Sequence, residues 1–275
     1  MTRSRSLSTL LAVLLVAVVL LYVFPYLYLV LTSVKTPMEA LAIPPQVIPS
    51  TVTLDNYRDV LTSPGVPRSF FNSTIIALMS TSLSLVIGVP AAYGISRYGT
   101  PAGRVFLIVA LATRMVPYVS LGIPFFAIMR SFGLTDTHLA VAIAHTTITL
   151  PLSIWLLASF FEGLPTELEE AARVDGCSRF GAMVRVILPI MAGGISVTAL
   201  FAFLASWNEF LFALLLTSIN AKTTPIMVAE LQTQYGLQWG PMTALATLYS
   251  LPVILLALVL QKRIVAGLTL GAVKG

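Results

Sequence analysis

Long apolar runs alternate with short polar stretches along the whole chain. The runs fall at roughly 10–32, 70–97, 104–129, 140–161, 186–216 and 242–260. A helix needs roughly 20 such residues to cross a bilayer. The pattern therefore predicts an all-α integral membrane protein with six transmembrane helices in a single domain, 1–275. Residues 33–67 hold Pro37, Pro44, Pro45, Pro49, Pro64 and Pro67. That much proline cannot continue a helix, so a folded extracytoplasmic loop is expected, with a short helix near 54–61 capped by Asp55. The second run contains Ser80, Ser82, Ser84, Gly88, Ala91, Ala92 and Gly94, small residues that allow close helix approach. Pro90 inside it predicts a kink. A polar segment, 162–185, separates runs four and five, and a short tail, 261–275, follows the last.

Composition supports this reading. Of 275 residues, 57% are hydrophobic and 10% charged, against about 25% charged in soluble domains. The excess is too large for an interior and implies surface facing lipid. Cys177 is the lone cysteine, so stability rests on helix packing rather than on an intrachain disulfide. The first run exceeds the roughly 7–15 apolar residues of a signal peptide and lacks a small-residue cleavage site, which predicts an uncleaved span. The net charge of +5 is scattered between apolar runs, without the basic stripe and interleaved aromatics of a nucleic-acid binder. With an even number of spans, Arg3, Arg5, Arg97, Arg104, Arg173, Arg179, Arg185, Lys262, Arg263 and Lys274 share one side. Lys35, Arg58, Arg68, Arg130 and Lys222 lie on the other. Positive loops stay cytoplasmic, so both termini are expected in the cytosol.

The 162–185 segment is the most informative. Thr166 followed by Glu169 has the spacing of a capping box, which predicts a helix from about Glu167. Leu168, Ala171 and Ala172 would form one small apolar face. Glu169 and Arg173 could pair at i, i+4, and Gly176 suits a left-handed C-terminal cap. A second helix is expected near Ser178, leading through Ile187, Leu188 and Pro189 into span five. Two readings stay open on these grounds: a helical linker with a solvated face, or a docking knob whose small alanines let a partner's cleft close around the backbone.

Glu170-Ala171-Ala172, Gly176, and Ile187-Leu188-Pro189 resemble the EAA loop of binding-protein-dependent ABC importer permeases. Further segments are similar to the second permease of maltose/trehalose-type sugar importers. They are Phe70-Phe71-Asn72-Ser73, Ala91 to Arg97, Gly133 to Thr137, Leu150 to Trp155, Trp207-Asn208-Glu209-Phe210 and the tail from Gly267 to Gly275. The likeness covers essentially the whole chain from about residue 10, with Gly94 and Ser96 departing from the more usual residues before Arg97. It implies a type I importer fold in a bacterial plasma or inner membrane. It implies a second, homologous permease, two ATPase subunits and an extracytoplasmic sugar-binding protein as partners. It also implies a cytosolic coupling helix, with Glu169, Glu170, Ala171, Ala172, Asp175 and Gly176 seated in an ATPase groove. The tail residues Gly271, Val273 and Lys274 would reach the interface between the ATPase subunits.

The chain is not expected to be an enzyme. A phosphate-binding loop needs Gly-Lys before Ser or Thr, and Lys35, Lys222, Lys262 and Lys274 follow Val, Ala, Gln and Val. ATP and Mg would therefore sit on partner subunits, with no cofactor on this chain. His138 and His145 form no metal motif. Arg114 lies within the third run, where a charge is costly and faces a cavity or a partner. It is a candidate for the substrate path, or snorkels, or pairs with a companion permease. Trp207, Asn208 and Glu209 interrupt the fifth run. They suit a sugar, apolar on its faces and wet on its rim, or serve as polar glue between helices. The alternative function is an ion-gradient-driven secondary transporter, which shows inverted repeats and intramembrane carboxylates. No convincing repeat is present, and Glu209 is the one acid well inside a run.

Overall fold

The computed structural model describes residues 2–233 and 236–272, with side chains for 7–232 and 236–261. Helix α1 (Thr2–Ser33) is followed by α2 (Pro37–Ala40) and α3 (Asp55–Thr62). Helix α4 is Val66–Tyr98, α5 Pro101–Ala112, α6 Tyr118–Ser131 and α7 His138–Glu162. Next come α8 (Glu167–Val174), α9 (Arg179–Ala182), α10 (Leu188–Ile190), α11 (Ala192–Trp207) and α12 (Leu211–Leu216). The chain closes with α13 (Thr224–Glu230), a two-residue antiparallel ladder of β1 (Gln232–Thr233) with β2 (Gly236–Leu237), and α14 (Trp239–Ala272).

Four helices are long and apolar enough to cross a membrane: Leu7–Ser33, Val66–Tyr98, His138–Glu162 and Trp239–Gln261. Two bent pairs bring the number to six if each is one span. Both bends fall where the apolar pattern predicts an unbroken helix, and both have a local cause. In the third run, Pro117 forces Val116 out of helical geometry, to ψ 128°. The chain passes through a 3₁₀ turn, Thr113–Met115, and α6 departs at 95°. In the fifth run, Pro189 has no N–H to give and crowds the preceding turn. Residues Met183–Ile187 widen into a π turn, and the chain bends by 79° between Ile190 and Ala192. This pair spans Arg179–Trp207, starting and ending earlier than the 186–216 run.

Packing divides the chain into two compact units, Met1–Pro67 with Met227–Leu251, and Arg68–Ile226 with Pro252–Gly275. In the first unit, Asn56 of α3 donates to the carbonyls of Ser33 (2.9 Å) and Lys35 (2.8 Å), tying the loop to the end of α1. Lys35 is buried, with its ammonium 4.7 Å from the centre of the Tyr28 ring. Asp55 does not cap α3: Leu54 occupies that position and Asp55 is the first helical residue, accepting from the Thr53 hydroxyl.

The second unit is held by small and hydroxylated residues between α4 and α7. Thr149 bonds Ser80 (3.1 Å) and Ser84 (2.6 Å), the polar glue that lipid-facing helices use where no hydrophobic force acts between them. Between α7 and α11, a Cβ on Gly194 would stand 2.7 Å from the Phe160 ring, so only glycine permits this crossing. Two apolar clusters fill the unit. One gathers Ile76, Met129, Ala144, Ile148, Phe212 and Leu216. The other gathers Ala92, Leu157, Phe161, Met183 and Ile187, with Leu168 of α8 packed against it.

Candidate functional site

Helix α8 is short, and its end is set by one residue. The Cys177 N–H donates to the Ala172 carbonyl (3.0 Å) and the Gly176 N–H to the Arg173 carbonyl (3.1 Å). This Schellman pairing requires a left-handed residue between them, and Gly176 has φ +88°. Ser178 then opens α9, its hydroxyl accepting from the Gly181 N–H at 3.1 Å. The start of α8 differs from the expected capping box. Thr166 is itself helical, with φ −70° and ψ −24°, and its hydroxyl caps nothing. Glu169 reaches neither Thr166 nor Arg173: it turns sideways to Arg97 at the end of α4, with Arg97 Nε 3.6 Å from its Oε2. A partly shielded guanidinium outcompetes a solvated i, i+4 partner.

One stripe of α8 faces inward and another outward. Leu168 is half-buried and Ala172 buried, whereas Glu170, Ala171, Val174, Asp175 and Gly176 are exposed. The apolar face expected of Leu168, Ala171 and Ala172 is divided: Leu168 and Ala172 turn inward, and helix periodicity leaves Ala171 exposed at the outer edge of that stripe. Val174 and Phe180 are 88% and 71% exposed, an apolar surface on both sides of the Gly176 turn.

The candidates elsewhere are dispersed. Arg114 sits in the 3₁₀ turn at the bend of the α5–α6 pair, its Nε buried without a hydrogen-bond partner among the described residues. Trp207 turns inward, 1% exposed, and stacks on Phe203 with ring centres 5.5 Å apart. Asn208 is exposed, and its side chain donates to the Leu204 carbonyl at 2.9 Å. Glu209 is buried. Its Oε2 lies 2.9 Å from Nε2 of His145 on α7, whose Nδ1 is 2.8 Å from the Ser206 hydroxyl. The same carboxylate accepts from the Phe212 (3.0 Å) and Ala213 (3.2 Å) N–H groups and so caps α12. Gly271 lies in α14, while Val273 and Lys274 lie outside the described residues.

Asp136, in the loop before α7, falls in the Gly133–Thr137 segment, and its spacing alone suggests no role for it. It adopts φ +59°, a left-handed conformation that Asp tolerates better than most residues. Its carboxylate accepts from the N–H groups of Ser218 (3.0 Å), Ile219 (3.2 Å), Asn220 (2.9 Å) and Ala221 (3.1 Å). Burial pushes this carboxyl's pKa up, but the four backbone donors outweigh it and hold it well below the usual carboxylate range. A depressed value means the stabilisation is present at neutral pH and fades only as pH falls below about 4 toward the folded-state value. Asp136→Ala is therefore expected to open the 217–221 loop. Amide exchange at Ser218–Ala221 should rise on the order of tenfold at pH 7, the scale of losing charge-assisted hydrogen bonds. Unchanged exchange would show that the loop is held by other contacts.

This arrangement is a membrane-embedded helical domain presenting a short, sharply terminated helix between two spans. The model of the family described as binding-protein-dependent transport system inner membrane component matches residues 84–269. The trehalose transport system permease protein SugB of Mycobacterium tuberculosis is 39% identical over 233 residues, 84% of this chain and 85% of that protein. The sulfoquinovosyl glycerol transport system permease protein SmoH of Agrobacterium fabrum is 35% identical over 253 residues, 92% of this chain and 89% of that protein. Among solved structures, a bacterial ABC transporter involved in the import of alginate superposes with TM-score 0.76 at 23% identity. That match covers 96% of this chain and 98% of the other, and it carries the type I permease fold. The chain belongs to the family of binding-protein-dependent ABC importer permeases.

Proposed function

We propose that this chain is one permease subunit of an ATP-driven sugar importer and that α8 is its coupling helix. The observation that carries the reading is the exposed strip Glu170, Ala171, Val174 and Asp175, ended by the left-handed Gly176. Two small or medium apolar residues flanked by carboxylates form a rigid, shallow knob that a groove on a cytosolic ATPase can enclose. With a second, homologous permease the chain forms the translocation path, and an extracytoplasmic sugar-binding protein delivers the cargo. ATP and Mg sit on two partner ATPase subunits. Their closure moves α8, and α8 moves the spans it is packed against. Both termini face the cytosol in this arrangement, in keeping with the bias of Lys and Arg toward one side. The tail residues Gly271, Val273 and Lys274 extend toward the ATPase pair.

Sugar as substrate class is supported by the two relatives, whose names specify trehalose and sulfoquinovosyl glycerol. A disaccharide such as trehalose or maltose is the first candidate. Of the four path candidates, Arg114 and Asn208 retain exposed surface and are the two assigned to the path, while Trp207 and Glu209 act through packing. ATP hydrolysis by the complex that co-purifies with this chain tests the reading. Stimulation by a binding protein loaded with one sugar, and not by the empty one, is the expected result. A sample that still transports but carries no associated ATPase would move the assignment to an ion-driven transporter.

A further inference from the structure

The coupling loop is gripped by the end of α4 on both sides of the Gly176 turn. Ahead of the turn, Arg97 on the last turn of α4 donates from Nη1 to the Leu164 carbonyl at 3.0 Å and faces Glu169 across 3.6 Å. Beyond the turn, Arg179 at the start of α9 donates from Nη1 to the hydroxyl of Tyr98, the next residue of α4, at 3.0 Å. Its guanidinium carbon lies 5.5 Å from the centre of the Tyr98 ring. These groups line a cavity of about 180 Å³ with Tyr93, Thr166 and Arg173. Two neighbouring residues of one helix thus hold two helices separated by a glycine turn.

The Arg97 strap is incompletely made. Its side chain is 8% exposed, yet the Glu169 contact exceeds hydrogen-bond length, and Nη2 is buried with no hydrogen-bond partner among the described residues. A guanidinium has five donors arranged to take a carboxylate two at a time. Here it spends one of them on a backbone carbonyl. A small approach of α8 toward α4 brings Glu169 into bidentate range, and a withdrawal breaks the contact. The pair therefore discriminates between two positions of α8, which is what a group must do to bias one conformation over another.

We propose that Arg97 is a positioning residue that transmits displacement of α8 to α4 through Glu169, with the Arg179–Tyr98 contact as the second strap. The inference rests on the assignment of α8 as the coupling helix. Arg97→Met keeps the apolar stem and removes the charge. In the reconstituted full complex it is expected to lower sugar uptake per ATP hydrolysed by about tenfold, within the usual span of coupling free energies. Hydrolysis itself and co-purification of the ATPase subunits should stay close to wild type. Arg97→Lys, which keeps a charge toward Glu169 and a donor for the Leu164 carbonyl, should recover most of the lost ratio. A purely structural role would lower assembly and both activities together and leave the ratio unchanged.

An unchanged ratio in Arg97→Met overturns the strap. Ala171→Trp, on the exposed strip, run alongside, separates the two levels. If it also leaves uptake per ATP unchanged, the assignment of α8 has failed. If it alone uncouples, α8 couples without Arg97.

Discussion

Replacing Gly176 with proline is expected to abolish ATP-coupled uptake while the chain still appears in the membrane fraction. The substitution attacks two things at once. Gly176 holds φ +88°, whereas proline is fixed near −65°. Its N–H, which donates to the Arg173 carbonyl at 3.1 Å, disappears. The Schellman end of α8 cannot form, so α9 leaves in another direction and Glu170, Ala171 and Val174 lose their fixed orientation. Uptake should fall on the order of 100-fold, the upper end of allosteric coupling effects. Gly176→Ala separates conformation from space. No atom lies within 4 Å of the added methyl, so its cost is the left-handed backbone alone, about 1–2 kcal/mol, and a partial defect is expected. Normal uptake in the proline variant would remove α8 from the mechanism.

The second large effect is expected at His145 and Glu209, and it falls on stability. The pair is 2.9 Å apart with side chains 1% and 7% exposed. Breaking a buried polar contact from one side leaves an unsatisfied group and costs about 1–3 kcal/mol. His145→Ala should therefore lower the thermal inactivation midpoint of the purified complex sharply. Glu209→Ala should be worse, because it also strips the acceptors from the Phe212 and Ala213 N–H groups at the start of α12, a cap worth about 1 kcal/mol. Glu209→Gln keeps an acceptor for the cap and should fall near His145→Ala. The combination His145→Leu with Glu209→Gln should cost less than the sum of its parts, since neither residue is left facing an unpaired charge. Strict additivity would mean the two residues do not stabilise one another.

Much of this was legible in the order of residues, and what was not has a common cause. The apolar runs, the Gly176 cap and the helix beginning after Ser178 are local signals, decided within a few residues. The bends at Pro117 and Pro189 were equally local, but the surrounding apolar run masked them. The Glu169 partner was misread for a different reason. Spacing offers Arg173 four residues on, whereas the partner that wins is Arg97, 72 positions earlier in sequence, because packing shields it. His145 with Glu209 and Asp136 with the 217–221 backbone are joins of the same long-range kind. No periodicity announces them; each appears only when helices far apart in sequence are laid side by side. Glu209 did stand out as a carboxylate in an apolar run, but that oddity left a sugar contact and a contact between helices equally open and named no partner; the structure sets it beside His145.

Helix α1 has a consequence for how the protein is made. From Leu7 to Pro25 every residue is exposed, and the apolar side chains of this stretch are suited to lipid. Lipid suits it as well as any neighbouring helix would. It can therefore enter the bilayer and settle there while the remaining helices are still on the ribosome. The later helices differ: α7 carries Ser153, Thr149 and His145, whose partners come from α4, α11 and each other's backbone. Such a helix is poorly suited to wait alone in hydrocarbon. Biogenesis should thus have two speeds, an early and independent insertion of α1 and a concerted burial of the polar-bearing helices once their counterparts have been synthesised.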